Sequence, residues 1–483
     1  MSSSEPLWRR SARDVVACLR SGDLSPTEVV EAAIARIETV DPVVNCVPIR
    51  DFDRARSRAE GFTRRGHADE SDLLAGLPIT IKDLTDVEGL PTTLGDPQKK
   101  NTVASVSDAL VRRLERRGGI VIGKTNVPYL GLGSDTDNPL FGLTLNPWNT
   151  DYSTAGSSGG AAAALACGEA WLAQGSDLGG SIRGPASHCG IVGLRPSPGR
   201  VGHGGPGTRR MPLDMLNVDG PMARDVGDLA LFMDALAGFE PTDPFSMDSA
   251  SGMYTRASMQ PALPGSMIAM HEMDGVVAEP DVAAVFDAAI ARLEAAGVQR
   301  TADGPDFTGI ADTAYTLRLG ATRARTSPED FARMAEHLPE IAGRTHEDAS
   351  KLDVDAFLAA SERQQVLVRQ MAEHLSADRV LITPAVSHGP RPHRRAQPDL
   401  PLADDHWARE AVFAYAITLS LCPALVVPAG FSATGLPVGI QIVGPPRGEA
   451  QLFAVGRAGE EVLNIPRTLP IDPVPPDGSM AID

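Results

Sequence analysis

Serines in two glycine-rich turns and one lysine ending an apolar run are the groups in this sequence that can do chemistry together. Ser157 and Ser158 lie in GSSGG, Ser181 follows Gly179-Gly180 in GSDLGGS, and Lys82 closes GLPITIK. A serine hydroxyl is a weak nucleophile until a neighbouring base takes its proton. A lysine serves as that base when burial and the lack of a carboxylate partner favour its neutral form. A second serine can stand between the two, since a hydroxyl both donates and accepts. The run Asp177-Leu178-Gly179-Gly180 offers successive backbone N–H groups to an oxyanion. Together these residues suggest an enzyme with a nucleophile, a proton relay and an anion cradle.

Strands must end at these groups and helices must start beside them. Residues 76–83 alternate through Ile79, Thr80 and Ile81, which predicts a strand with Lys82 at its end. The run AAAALAC after GSSGG predicts a helix. Upstream, residues 11–40 read as two helices. In the second, Ser25 caps, Pro26 takes the first position and Glu28 completes a capping box, with Asp41-Pro42 expected to stop it. A capped helix over 108–119 and a buried strand over 120–126 continue an α–β alternation. The loop from Pro128 to Trp148 is long enough to line a site. Further on come a helix over 225–238 capped by Asp225, a surface connection over 239–265, a strand over 266–270 and a helix from Asp281 to Ala296. Residues 305–378 read as a polar helical insertion that caps the core. A buried strand over 379–385, a loop over 389–401, a strand pair over 424–444 and a mobile tail over 470–483 complete the chain. No internal repeat is visible.

Composition narrows the partners. The net charge of -18, from 44 basic against 62 acidic residues, argues against nucleic acid and anionic membrane. The five cysteines (Cys18, Cys46, Cys167, Cys189, Cys422) form no CxxC, which fits a reducing compartment. The opening MSSSEPLWRRSARD lacks the apolar stretch of a secretory signal, and no run reaches the ~18 apolar residues of a membrane span. A cytoplasmic location is expected. The ten histidines, His67 and His406 among them, never form HxxxH, so no metal site is expected. No GxGxxG opens a βαβ unit, so nucleotide binding lacks support and no cofactor is expected. Gly156, Ser158 and Gly160 match the GxSxG elbow of an α/β-hydrolase. That elbow needs a preceding strand, which TDYSTA does not suggest, and it leaves Lys82 and Ser181 without a role.

GLPITIKD, GSSGG with its alanine-rich helix, and GSDLGGSIRGPA together resemble the amidase signature family of serine hydrolases. SPTEVVEAAIARIETVDP, IVIGKTN, GPMARDVGDLALFMDALAG and LPVGIQIVG with nearby Glu449 extend the likeness over nearly the whole chain. Ser181 follows Ser157 by 24 residues, a gap similar to the family's own. The resemblance implies that Ser181 is the acyl-forming nucleophile and Lys82 the general base. Ser157, after a cis peptide bond, is then the relay. Leu178, Gly179 and Gly180, with the amide of Ser181, would form the oxyanion hole. The expected fold is α/β, one domain over 1–483 built on a large mixed twisted sheet with helices on both faces.

Each residue also has a plainer reading. Ser157 and Ser158 can cap the helix that follows. Asp177 and Arg183 suit a charge pair bracing the loop better than a substrate contact. Cys189 reads as a small buried hydrophobe and His188 as a pocket wall. The sequence departs from the family where Ala155 precedes Gly156, where Leu84 follows Lys82-Asp83, and at His188. The expected activity is hydrolysis of a small or aryl amide, with carbamates (a urethanase activity) and esters as further substrates. The alternatives are the glutaminase subunit of an aminoacyl-tRNA amidotransferase, or a binding protein without catalysis. A homodimer is compatible with either. Substrate choice is expected to lie in the loop from Pro128 to Leu145, the 305–378 region and the 386–401 loop.

Overall fold

The computed structural model of the chain describes residues 5–65, 72–204, 215–393, 396–397, 407–465 and 469–476. His67, His406 and parts of the 389–401 loop and the 470–483 tail lie outside them.

The strands are β1 (Ile49–Arg50), β2 (Pro78–Lys82), β3 (Ile120–Thr125), β4 (Leu172–Asp177), β5 (Val192–Arg195), β6 (Val218–Ala223), β7 (Ser266–Ala269), β8 (Glu272–Met273), β9 (Val276–Val277), β10 (Gln299–Thr301), β11 (Arg379–Pro384), β12 (Ala424–Phe431) and β13 (Pro437–Val443). Eleven of them join one sheet in the order β1-β3-β2-β4-β6-β5-β12-β13-β11-β7-β10. β8 and β9 pair separately. The sheet is mixed. β2 runs parallel to β3 and β4, whereas β4–β6, β6–β5, β5–β12 and β12–β13 are antiparallel. This is the large helix-flanked mixed α/β sheet that the sequence suggests.

Strand alternation places the lysine. Ile79 and Ile81 are fully buried in the main apolar cluster, and each burial contributes on the order of 2 kcal/mol. Thr80 and Lys82 therefore share the opposite face. The parallel pairing of β2 with β4, at Thr80 and Ala173, brings the C-terminal ends of both strands to one edge. Lys82 ends the first and Asp177 the second, with Ser181 in the turn beyond.

The helix Gly159–Cys167 follows the paired serines and is buried along its whole length. A side chain at Gly160 would force the backbone to shift, since its Cβ would stand 2.5 Å from the Asn126 backbone nitrogen. The helix thus packs on the end of β3 at backbone distance.

Several stretches depart from the sequence reading: the 239–265 connection contains a helix, Met253–Ser258, with Tyr254 buried, and the helices Phe52–Arg65 and Glu449–Leu463 have no counterpart in it. The helix that Asp41-Pro42 should stop runs from Pro26 to Val44, with Pro42 inside it and Asn45 as the left-handed cap. A proline in the last turn removes only one backbone bond, and the Asp41 carboxylate accepts from Cys46 and Val47 N–H just beyond. Residues 412–420, which suggest no element, form a fully buried helix, Val412–Ser420. The 305–378 region holds four helices, Ile310–Arg325, Pro328–His337, Pro339–Lys351 and Val354–His374. The first and last pack with Val412–Ser420 in a second apolar cluster.

Candidate active site

Lys82 is wholly buried, and its Nζ meets hydroxyls. It lies 2.8 Å from Ser157 Oγ, 2.7 Å from Ser158 Oγ and 3.1 Å from Ser176 Oγ, with the Ser176 carbonyl at 3.4 Å. Its own N–H donates to Gln174 Oε1 at 3.0 Å, fixing the end of β2 against β4. Ser176 and Gln174 are the partners that the motifs do not announce. Their signal is a pair of polar residues two apart, hence on one face, in the buried strand LAQGSD.

Ser158 occupies the N-cap position of the helix but makes no side-chain capping bond. Its Oγ faces Lys82 instead and donates to the Ser176 carbonyl at 3.3 Å. The Gly156–Ser157 peptide is cis. Ala155, just before that bond, adopts φ of 58°. Alanine in that left-handed region costs about 1–2 kcal/mol.

Ser181 is tied to the same place through its backbone, since Ser158 N–H donates to the Ser181 carbonyl at 3.1 Å. Lys82, Ser157, Ser158 and Ser176 are buried, whereas Ser181 is partly exposed.

The turn before Ser181 is held by Asp177. Its carboxylate accepts from Gly180 N–H at 3.1 Å and Ile182 N–H at 3.1 Å. It also pairs with Arg183 through Nη2 at 2.8 Å and Nε at 3.1 Å, and with Arg195 at 3.3 Å. Burial alone would raise its pKa, but the two guanidiniums outweigh burial and hold it well below the usual carboxylate range. Asp177 and Arg183 thus brace the loop, as their plainer reading has it. The Gly180 amide, expected in the oxyanion hole, is instead committed to Asp177. Among the described residues the N–H groups of Leu178, Gly179 and Ser181 donate to no protein acceptor.

Arg183 also donates to the Ala414 carbonyl, Gln441 Oε1 and Thr418 Oγ1, each at 3.0 Å. The site is thereby fastened to Val412–Ser420 and β13. His188 is buried on the same short helix as Arg183, its ring edge-on to His388 at 5.6 Å between centroids. Burial first, then repulsion from His388 and Arg391, lowers its pKa to about 3. Burial pushes the Cys189 thiol up, as suits an inert core residue. Glu449 is buried too, accepting from Ser197 N–H at 2.8 Å and Arg200 Nε at 3.1 Å, a structural brace. Among the described residues one group has donor atoms converging as metal ligands do, the buried Asp41, Cys46 and Glu169. Asp41 there already accepts two backbone N–H groups and Arg50.

Comparison with known proteins agrees with this architecture. Residues 28–453 match the family model described as Amidase. The chain is 33% identical over 472 residues to an acylamidase of Rhodococcus erythropolis, covering 94% of this chain and 95% of that protein. It is 32% identical over 477 residues to a glutamyl-tRNA(Gln) amidotransferase subunit of Synechococcus sp. (strain CC9605), covering 92% and 95%. Among solved structures, a bacterial aryl acylamidase of the amidase signature family superposes with a TM-score of 0.84 at 27% identity, covering 95% of this chain and 97% of that one. The chain belongs to the amidase signature family. It is an enzyme that hydrolyses carbon–nitrogen bonds of amides. No helix of the described residues is long and apolar enough to cross a membrane.

Proposed function

We propose that this enzyme hydrolyses small or aryl amides through an acyl-enzyme on Ser181, with Ser157 as proton relay and Lys82 as general base. The observation that carries the reading is the buried Lys82 amine at 2.8 Å from Ser157 Oγ, on the strand edge where the Ser181 turn emerges. Ser181 Oγ attacks the amide carbonyl carbon while its proton passes to Ser157 Oγ and that of Ser157 passes to Lys82 Nζ. The charge on the carbonyl oxygen is met by backbone N–H groups of the turn. Collapse of the tetrahedral species breaks the C–N bond, and the leaving amine takes the proton back along the same route. Water then releases the acid. Carbamates and esters pass through the same tetrahedral geometry and fall within reach of the site. No metal or organic cofactor takes part in this sequence of steps.

Ser181→Ala tests the assignment. The variant should lose labelling by a fluorophosphonate probe and more than about 10³-fold of amide turnover. Peptide mapping that finds the label on another serine overturns it. Similarity to the amidotransferase protein favours a second reading, in which glutamine is the amide and ammonia passes to a partner protein. Glutamine turnover that rises when copurifying partners are present would favour it over the free amidase.

A further inference from the structure

We propose that Thr418 is a positioning residue that sets the oxyanion hole by holding the Leu178–Gly179 peptide in one orientation. The inference rests on Ser181 being the nucleophile. Its starting point is the carbonyl of Leu178, which accepts from Thr418 Oγ1 at 2.5 Å. The direction of that hydroxyl is fixed from behind. Thr418 Oγ1 itself accepts from Arg183 Nη2 at 3.0 Å, so its single hydrogen is left for Leu178.

A peptide unit is planar, and in the trans form its C=O and N–H point opposite ways. The only cis bonds of the described residues are Gly156–Ser157 and Leu469–Pro470, so Leu178–Gly179 is trans. Holding the Leu178 oxygen against Val412–Ser420 therefore turns the Gly179 N–H away from that helix. With Gly180 N–H taken by Asp177, the donors left to meet an oxyanion are those of Leu178, Gly179 and Ser181.

The same helix removes the room for a flip. A Cβ on Gly179 would lie 2.5 Å from the Tyr415 ring and hydroxyl, and one on Gly180 would lie 2.7 Å from the Ala414 Cβ. Tyr415 is itself held by a hydrogen bond from Arg318 on Ile310–Arg325. Ala414, Tyr415 and Thr418 sit at helical spacing on one side of Val412–Ser420. That side serves as a clamp on the turn. If the clamp loosens, the Leu178 carbonyl can rotate toward the site and place a like partial charge where the oxyanion forms.

The test compares Thr418→Val, which keeps the shape and loses the hydroxyl, with Thr418→Ser, which keeps the donor. Thr418→Val should lower kcat by about 30- to 100-fold, less than the 10²–10³ of deleting an oxyanion donor outright, with KM within about threefold. Affinity for a boronic acid analogue of the tetrahedral species should fall by the same factor. Thr418→Ser should stay within about threefold of the parent on both measures. A folded Thr418→Val enzyme with unchanged kcat overturns the inference, and so does a serine variant as impaired as valine. Should the valine variant fail to fold, Thr418→Ala carries the same comparison. Fluorophosphonate labelling of the parent separates the two levels. Absence of label on Ser181 sinks the nucleophile and this inference with it, whereas label on Ser181 beside an unimpaired valine variant sinks the inference alone.

Discussion

The arrangement around Lys82 is defined by what a long flexible amine meets when it is enclosed. Three serine hydroxyls and a carbonyl surround its Nζ within 3.4 Å. Hydroxyls orient the amine and can exchange protons with it, so the group is suited to receive a proton and return it. Replacing Lys82 by Met keeps the buried stem and removes the nitrogen. We expect kcat for an anilide substrate to fall by about 10²–10⁴ with the fold intact, the range general-base removal gives. Steady-state release of the aniline checks this, and a variant within tenfold of the parent would exclude Lys82 as the base. Asp83, next in sequence, faces elsewhere and pairs with Lys124 at 2.6 Å.

At the scale of elements, the site is made where strand ends meet helix starts. β2 and β4 end at the same edge because they pair in parallel, and Gly159–Cys167 begins beside them. The closeness of that helix to β3 depends on Gly160. Alanine there would press its Cβ into the Asn126 backbone, which cannot move aside as a flexible side chain can. Gly160→Ala should therefore destabilise the protein by about 1–3 kcal/mol and shift Ser157 and Ser158 away from Lys82. Denaturant unfolding read beside kcat reports both effects. A variant of parental stability and rate would show that the helix has slack there.

Across the whole molecule, stability should depend on acid through His188. In the folded protein its pKa lies at about 3, against an ordinary value of 6.5. Below the ordinary value the unfolded chain takes up a proton that the folded chain refuses. Stability is therefore full above that value and declines as pH falls through the window down to about 3. The linkage amounts to about 2 kcal/mol between pH 7 and pH 5. Urea unfolding of the parent and of His188→Phe at both pH values measures it. The parent should lose about 2 kcal/mol more on acidification than the variant. Equal losses would mean that the ring is solvated or paired in the folded state.

The sequence by itself marked the side chains proposed to react. Lys82, Ser157 and Ser181 are marked by what lies beside them in the chain: an apolar alternation, a paired-serine turn before an alanine-rich helix, a glycine turn before SIRG. Backbone conformation at such places follows from neighbours a few residues away, so it is legible locally. The capping box at Ser25 and the cap at Asp225 were legible for the same reason, and both formed. Pro42 misled because a proline forbids a helix in its middle but not in its final turn. Only the tertiary structure decided how the proposed catalytic groups are aimed. Arg183 reaches Ala414 and Gln441, which lie 231 and 258 residues further on, and Thr418 reaches back 240 to Leu178. Which amide of the Leu178–Ser181 turn faces the site depends on what grips the carbonyl of the same peptide. That grip comes from a helix whose sequence carries no sign of the turn it holds.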